Sequence, residues 1–154
     1  MTRHQRKNAI SNTQVGIDFE NLALSYFSKG IPTLTKNFKL KIGIHEKKLH
    51  NFDIGCADSK VIIECKSHTW TSGGNVPSAK LTTWDQAMLY FYLAPRSYRK
   101  IFFVKKDINP KTKESLCEYY LRTHTHVIPD EVEFWEVDED MGEVERVDFD
   151  LTAT

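Results

Sequence analysis

Apolar residues recur at helical spacing in two parts of the chain. Between residues 13 and 28 they fall at i, i+4, i+7, i+8 and i+11, which predicts an amphipathic helix with this buried stripe: Val15, Phe19, Leu22, Ala23 and Tyr26. A second helix is predicted from about Thr83 to Leu93, with Trp84, Met88 and Phe91 on its buried face. Thr83 and Gln86 have the spacing of a capping box in its first turn.

Shorter apolar runs predict strands. Residues 37–44, 51–56 and 60–66 form three such runs joined by turn-like segments, so we expect them to pair antiparallel. The run KIFFVKK, residues 100–106, follows the second helix. A helical crossover of this kind allows the run to return parallel to the strand before it.

A third helix and a hairpin are predicted in the last part of the chain. Asn109 is the expected N-cap of this helix, with Pro110 at its first position. The segments VEFWEV and GEVERVDF flank the turn-like DEDMG and are typical of a hairpin. The expected fold class is therefore α/β, with a mixed central sheet flanked by helices and a C-terminal helix and hairpin.

The composition is that of one ordinary globular domain. The chain has 154 residues, of which 40% are hydrophobic and 27% are charged, and we expect a single domain, residues 1–154. No apolar run approaches the roughly 20 residues of a membrane span, and the basic N-terminal segment lacks the apolar stretch of a secretory signal. The three cysteines form no CxxC pair. These features favour a cytoplasmic protein without membrane association.

The formal net charge of zero hides an uneven distribution. Residues 130–154 hold eleven acidic residues and one basic residue, Arg146, so they carry −10 and residues 1–129 carry +10. A basic body is compatible with a polyanionic partner such as nucleic acid, and equally with an evenly solvated surface.

The segment VIIECK, residues 61–66, is an apolar run that ends in two opposite charges. Since side chains alternate along a strand, Glu64 and Lys66 share one face and Cys65 points to the other. Asp53 lies eleven residues before Glu64, and a hairpin between them would bring the two carboxylates close together. Such like charges repel unless a cation lies between them. Two carboxylates beside a backbone carbonyl suit Mg²⁺, and Lys66 could then reach an attacking water or a phosphate.

These residues resemble the PD-(D/E)xK nuclease superfamily, which has the restriction-endonuclease-like fold. In that superfamily the Asp and the (D/E)xK motif lie on adjacent strands of an αβββαβ core, as FD (Phe52, Asp53) and ECK (residues 64–66) would here. Phe52 stands where many members have proline. The resemblance covers residues 13–106 as the core and leaves residues 107–154 as an additional helix and acidic hairpin.

Two helical positions extend the resemblance. The stretch GIDFENLALSYF is similar to the family's first-helix motif and has Glu20 in the acidic position. Some members carry a glutamine on the helix after the lysine strand, and Gln86 occupies that place. The resemblance therefore adds Glu20 and Gln86 to the candidate catalytic residues.

The resemblance implies a metal-dependent endonuclease that hydrolyses phosphodiester bonds, with DNA as the expected substrate. Asp53 and Glu64 would bind Mg²⁺ or Mn²⁺ together with the backbone carbonyl of Cys65. Glu20 would hold a second ion or a metal-bound water, and Lys66 would orient the water and stabilise the phosphate. Because one site cuts one strand, double-strand cleavage would require a homodimer.

Further candidates border this expected site. His50, three residues before Asp53, could join the site or contact phosphate. The loop SHTWTSGGNVPSAK follows the charged strand end, where Ser67 and Lys80 offer phosphate donors and Trp70 offers a stacking surface. These residues form the predicted substrate-binding set.

Each assignment has a structural alternative. Glu20 could be a solvated flank of its helix, Gln86 the capping partner of Thr83, and His50 a structural residue near a strand start. The loop could be a flexible connection with a core tryptophan. For the whole chain, the alternative is a catalytically inactive nucleic-acid-binding or protein-interaction module on the same fold, which would keep its affinity when Asp53 is neutralised.

Overall fold

The computed structural model describes the backbone of residues 3–150 and the side chains of residues 14–150. The predicted domain, residues 1–154, extends past these limits, and residues 1–2 and 151–154 lie outside the described residues. The first helix begins at Arg3, ten residues before its predicted start at residue 13. In chain order the elements are α1 (Arg3–Ser28), β1 (Thr35–Ile42), β2 (Lys48–Cys56), β3 (Val61–Lys66), α2 (Ser78–Leu93), β4 (Arg99–Lys105), α3 (Leu116–Thr123), a 3₁₀ turn (Thr125–Val127), β5 (Val132–Asp138) and β6 (Glu143–Val147).

The strands form one mixed sheet in the order β1-β2-β3-β4-β5-β6. β1, β2 and β3 pair antiparallel, β3, β4 and β5 pair parallel, and β6 returns antiparallel to β5. The helices α2 and α3 supply the crossovers that parallel neighbours require. The predicted α/β class, the element order and the parallel return of β4 are confirmed. No helix within residues 3–150 is long and apolar enough to span a membrane.

The central strands of the sheet are buried on both faces. On one face, Ile62 and Phe102 pack with the apolar residues of α2 and α3, while on the other face Ile63 and Phe103 pack against α1. Side-chain alternation along β3 and β4 therefore divides the core into an α2 face and an α1 face. This arrangement confirms the predicted alternation along residues 61–66, with Cys65 on the same face as Ile63.

The buried stripe of α1 differs from the prediction at both ends. Phe19, Ala23 and Phe27 are buried at a spacing of four residues, whereas Tyr26 is only partly buried and Val15 is 48% exposed. Phe27 contacts both Phe103 and Trp135 edge-on, and this aromatic packing selects it over Tyr26.

The second helix begins earlier than predicted. α2 starts at Ser78 with Pro77 at its N-cap and no side-chain capping bond. Thr83 lies in the second turn, where its hydroxyl donates to the Lys80 carbonyl at 2.6 Å. The predicted capping box of Thr83 and Gln86 is therefore wrong, although Trp84, Met88 and Phe91 are all fully buried as predicted.

The third helix begins later than predicted. Ser115 is its N-cap, and Ser115 and Glu118 form a reciprocal capping box with bonds of 3.0 and 3.1 Å. Asn109 is buried instead in the preceding loop, where its amide donates to the Gly74 carbonyl at 2.9 Å. Asn109 thus ties two loops together, and the prediction that it caps the helix is wrong.

Candidate active site

The pleat of the first two strands reverses at Asp53. Phe38 and Phe52 are paired across β1 and β2 and pack on the α2 face, whereas Ile54, two residues further along β2, packs on the α1 face. An undisturbed strand would place Phe52 and Ile54 on the same face. In this register Asn37 lies opposite Asp53, and its φ of 55° lies in the left-handed region that asparagine tolerates. Asp53 therefore lies where the strand crosses from one face to the other.

The ladder between β2 and β3 ends beside this reversal. Ile54 pairs with Ile63, and the next positions in the register would be Asp53 and Glu64. The backbone pairing stops there, and the amide of Cys65 donates instead to Asp53 Oδ2 at 2.8 Å. The Asp53 carboxylate thus takes the place of a ladder acceptor and is fixed next to Glu64.

Three carboxyl groups, Glu20, Asp53 and Glu64, come together here and are called the carboxylate cluster below. Glu64 is 7% exposed, and burial raises its pKa to about 7, with the Asp53 charge adding to the shift. Burial and the Asp53 charge also raise the pKa of Glu20, against the opposing effect of Lys36, whose Nζ lies 3.9 Å from Glu20 Oε2. The predicted approach of Asp53 and Glu64 is present, and Glu20 joins them from α1; the mutual repulsion of three carboxylates favours a bound cation.

His50 is part of the same site. Its Nε2 lies 3.3 Å from Glu64 Oε1, and this contact opposes the rise of the Glu64 pKa. The ring stacks on Tyr90 of α2 with centroids 3.9 Å apart and meets the ring of Phe52 edge-on at 4.6 Å. Because α2 and β2 both hold the ring, His50 is positioned toward Glu64 instead of toward open solvent.

Lys66, the last residue of β3, and His68, two residues beyond that strand, follow Glu64 along the chain. The charge of Lys66 lowers the pKa of Glu64 and lies close enough to His68 to lower its pKa as well. Trp84 Nε1 donates to His68 Nδ1 at 2.9 Å, which leaves the hydrogen of the neutral ring on Nε2. Burial, Lys66 and Lys80 lower the His68 pKa to about 4, so this ring is a neutral donor at physiological pH.

His68 is the residue that reasoning from the sequence missed. The spacing of Glu64, Lys66 and His68 continues the every-second-residue alternation of β3 by one position past the end of the strand. Its tautomer depends on Trp84, sixteen residues away, and no local pattern shows that contact.

The other predicted site residues lie around this centre. Gln86 is exposed on α2 one turn before Tyr90, on the helix face that reaches His50. Lys80 is exposed at the start of α2 and acts electrostatically on His68, and Ser67 is half-buried directly after Lys66. The Cys65 side chain lies on the α1 face, where burial raises its thiol pKa well above the usual range.

Trp70 does not form the predicted stacking surface. Its side chain is 8% exposed, its backbone amide donates to Asp107 Oδ2 at 2.8 Å, and its indole donates to the Asp107 carbonyl at 3.0 Å. The ring also meets Tyr119 edge-on. Trp70 therefore anchors the loop to the core, as the structural alternative proposed.

The donor set of the cluster suits a hard divalent cation. Within residues 14–150, no three His, Cys, Asp or Glu side chains stand in a ready-made metal-binding arrangement. Mg²⁺, however, commonly uses one or two protein carboxylates and takes its other ligands from water and phosphate. Asp53, Glu64 and the Cys65 backbone are adjacent at the end of the ladder, so this chain offers that smaller set.

No protein-family model matches the chain, no curated protein matches it, and no solved structure matches it.

Proposed function

We propose that this chain is a metal-dependent nuclease that hydrolyses phosphodiester bonds, with DNA as its substrate, on a restriction-endonuclease-like core. The observation that supports this best is the carboxylate cluster beside Lys66, at the point where β2 and β3 separate. The order α1, β1, β2, β3, α2, β4 is compatible with the αβββαβ core of the nuclease superfamily that the motifs resemble.

The roles follow from where the side chains lie. Asp53 and Glu64, with the Cys65 carbonyl, would hold Mg²⁺ or Mn²⁺, and Glu20 would hold a second ion or a coordinated water. The ion would supply positive charge at the phosphate and lower the pKa of a bound water. Lys66 would orient the attacking water and offset the charge that develops on the phosphate oxygens.

The neighbouring residues support these roles. His50 fixes one oxygen of Glu64 through the 3.3 Å contact, and His68 presents its Nε2 hydrogen as a neutral phosphate donor. Gln86 and Lys80 lie along α2 at the border of the site, where they would contact the nucleic acid backbone. Since cation binding requires ionised Glu64, metal affinity should rise as the pH passes through about 7.

The test compares the wild type with Asp53→Asn, Glu64→Gln and Lys66→Ala. Each protein is incubated with supercoiled plasmid, linear duplex, single-stranded DNA and RNA in Mg²⁺, Mn²⁺ or EDTA. Cleavage by the wild type should require the metal, and each substitution should lower the rate by at least about a hundredfold, because each removes charge stabilisation from the reacting phosphate.

Asp58→Asn is the matched control. Asp58 is an exposed carboxylate in the turn between β2 and β3, at the end of these strands opposite the cluster. The Asp58→Asn protein should cleave like the wild type. If Asp53→Asn were as active as Asp58→Asn, or if no protein cut any substrate with either metal, the nuclease proposal would be wrong. The inactive binding module would then be the better account.

A further inference from the structure

The β1–β2 hairpin extends well beyond the rest of the sheet. β1 and β2 pair from Thr35 and Gly55 outward to Ile42 and Lys48, whereas β2 pairs with β3 only over residues 54–56. Residues 38–52, called the projecting hairpin below, therefore have no third strand beside them. They begin next to Asp53, so the projecting hairpin extends outward from the carboxylate cluster.

The two faces of the projecting hairpin differ. Phe38, Leu40 and Phe52 face the α2 side of the core. On the opposite face, the pairs Lys39–Asn51 and Lys41–Leu49 are all exposed. This outer face has no aromatic side chain.

The charge of the projecting hairpin is positive and unpaired. Lys39, Lys41, Lys47 and Lys48 outweigh the single Glu46, for a net charge of +3 with histidines neutral. All four lysines are exposed, and none forms a salt bridge with another described residue. Their charge is therefore available to a polyanion.

The tip adds exposed apolar side chains to these charges. Ile44 is 73% exposed and Leu49 is 63% exposed. Gly43 shapes the turn, since a Cβ there would collide with the Glu46 carbonyl. Apolar groups at the end of a basic ribbon suit contact with base edges in a groove, where phosphates border both sides.

We propose that the projecting hairpin binds duplex DNA, with its outer lysines on the phosphates and its tip in a groove, and so presents the backbone to the carboxylate cluster. A two-stranded ribbon fits the major groove of B-form DNA, which is about 12 Å wide. The major groove of A-form RNA is too narrow for it. A single-stranded site would require aromatic side chains for base stacking, and the outer face has none.

The inference rests on the proposed function for the cleavage step, but binding can be measured without cleavage. The intact chain is titrated onto a fluorescent 20-base-pair DNA duplex in EDTA, with fluorescence anisotropy recorded at several salt concentrations. Lys39→Gln/Lys41→Gln should bind about tenfold more weakly at physiological salt. The slope of log K against log salt should become shallower by about two, roughly one for each lost phosphate contact.

Lys29→Gln/Lys60→Gln is the matched control for the lost charge. Both lysines are exposed and lie toward the other end of the sheet, near the start of β4, where Lys60 precedes the paired residues Val61 and Arg99. This control should bind like the wild type. Circular dichroism and thermal melting of both double variants test whether each has kept its fold.

The outcomes separate the two proposals. Weaker duplex binding by the hairpin variant alone supports the inference, even if the wild type cuts nothing. Equal binding by the hairpin variant and its control overturns it, even if the wild type is an active nuclease. Tighter binding of the wild type to a single-stranded 20-mer or to an RNA duplex than to the DNA duplex also overturns it.

Discussion

At one edge of the sheet, the projecting hairpin carries four exposed lysines whose side chains form no salt bridge with another described residue. At the other edge, β5 and β6 form the acidic hairpin, residues 132–147, with a net charge of −6. Three of its seven acidic side chains form ion pairs: the Glu133 carboxylate accepts from Arg99 Nε and Nη2 at 2.6 and 2.9 Å, Lys105 Nζ lies 3.7 Å from Glu139 Oε2, and Lys106 Nζ lies 3.3 Å from Glu145 Oε1. The two hairpins thus differ in pairing as well as in sign.

Two carboxyl groups show the same contrast at atomic scale. Glu64, next to the projecting hairpin, has a pKa raised to about 7 because burial and the Asp53 charge outweigh the effects of His50 and Lys66. Glu133, within the acidic hairpin, has a lowered pKa because its bonds to Arg99 and the nearby Arg146 outweigh burial. The net charge of a region therefore does not show whether its charged groups have partners. Strongly perturbed pKa values cluster at functional sites, so the raised pKa of Glu64 favours the region beside the projecting hairpin as the one that binds a ligand.

Reversing two lysine charges of the projecting hairpin should change duplex affinity more than any other substitution below. Lys39→Glu/Lys41→Glu replaces two phosphate contacts with two repulsive charges, and we expect duplex affinity to fall by about a hundredfold at physiological salt. Anisotropy with the same duplex measures it. A change smaller than that of the glutamine pair would contradict an electrostatic role for these lysines.

Removing the two buried carboxylates should change stability in opposite directions. Glu64 has a folded-state pKa above its unfolded value, so the native protein binds the extra proton and loses stability as the pH rises from about 4.5 to about 7. Glu64→Gln should therefore raise the free energy of unfolding at pH 8 by about 1–3 kcal/mol and change it little at pH 4.5.

Glu133→Gln is the counterpart in the acidic hairpin. Its pKa is lower in the folded state than in the unfolded state. The ionised Glu133 side chain therefore stabilises the protein at pH values above the unfolded-state pKa, and this stabilisation is lost as the pH falls through the folded-state pKa. The substitution should cost about 1 kcal/mol at neutral pH, after allowance for solvent screening, and less in acid. Urea unfolding at pH 8, 7 and 4.5 tests both variants. Destabilisation of both by the same amount at pH 8 would contradict the contrast.

Changing the shape of the projecting hairpin without its charge should have an intermediate effect. Gly43→Ala places a Cβ against the Glu46 carbonyl, so the tip must shift. We expect duplex affinity to fall about threefold to fivefold with an unchanged salt slope, because the phosphate contacts remain. Gly30→Ala is the control, since a Cβ at Gly30 meets nothing within 4 Å. An altered slope would mean that the tip also positions the lysines.

Neutralising exposed charge on the acidic hairpin should have the smallest effect. Asp140 and Glu143 are exposed near its turn and lie far across the sheet from the projecting hairpin. Asp140→Asn/Glu143→Gln should raise duplex affinity by no more than about twofold, because charges beyond the Debye length of about 8 Å are screened. A gain of tenfold would show that the acidic hairpin restricts access to the nucleic acid.

Sequence patterns predicted the sheet better than the helix ends. Apolar runs such as residues 61–66 form strands whether buried on one face or both, and the predicted neighbours pair as expected. Helix starts depend on competing local bonds. Thr83 has the spacing of a capping box but lies inside α2, while the box that begins α3 is formed by Ser115 and Glu118, six residues after the predicted cap Asn109.

The candidate site was predictable where one strand or one turn determines it. Asp53 and Glu64 are brought together by a simple antiparallel register. The contacts of His68 and Trp70 depend on residues sixteen and thirty-seven positions away, so neither the fixed tautomer of His68 nor the burial of Trp70 follows from local pattern. The pleat reversal depends on the backbone of Asn37, which alternation of residue types does not show.

The pleat reversal at Asn37 and Asp53 makes the hairpin modular. Inward of the reversal, β1 and β2 present one set of side chains to α1; outward of it, the same two strands present a separately oriented set to α2. Only the tip of the outer segment, residues 43–47, lies beyond His50 and the buried Ile42 and Phe52, so the tip can vary in length and sequence without changing the packing that holds the carboxylate cluster. Exchanging the turn between Ile42 and Lys48 is accordingly a route to chimeras that keep His50, Phe52 and the carboxylate cluster.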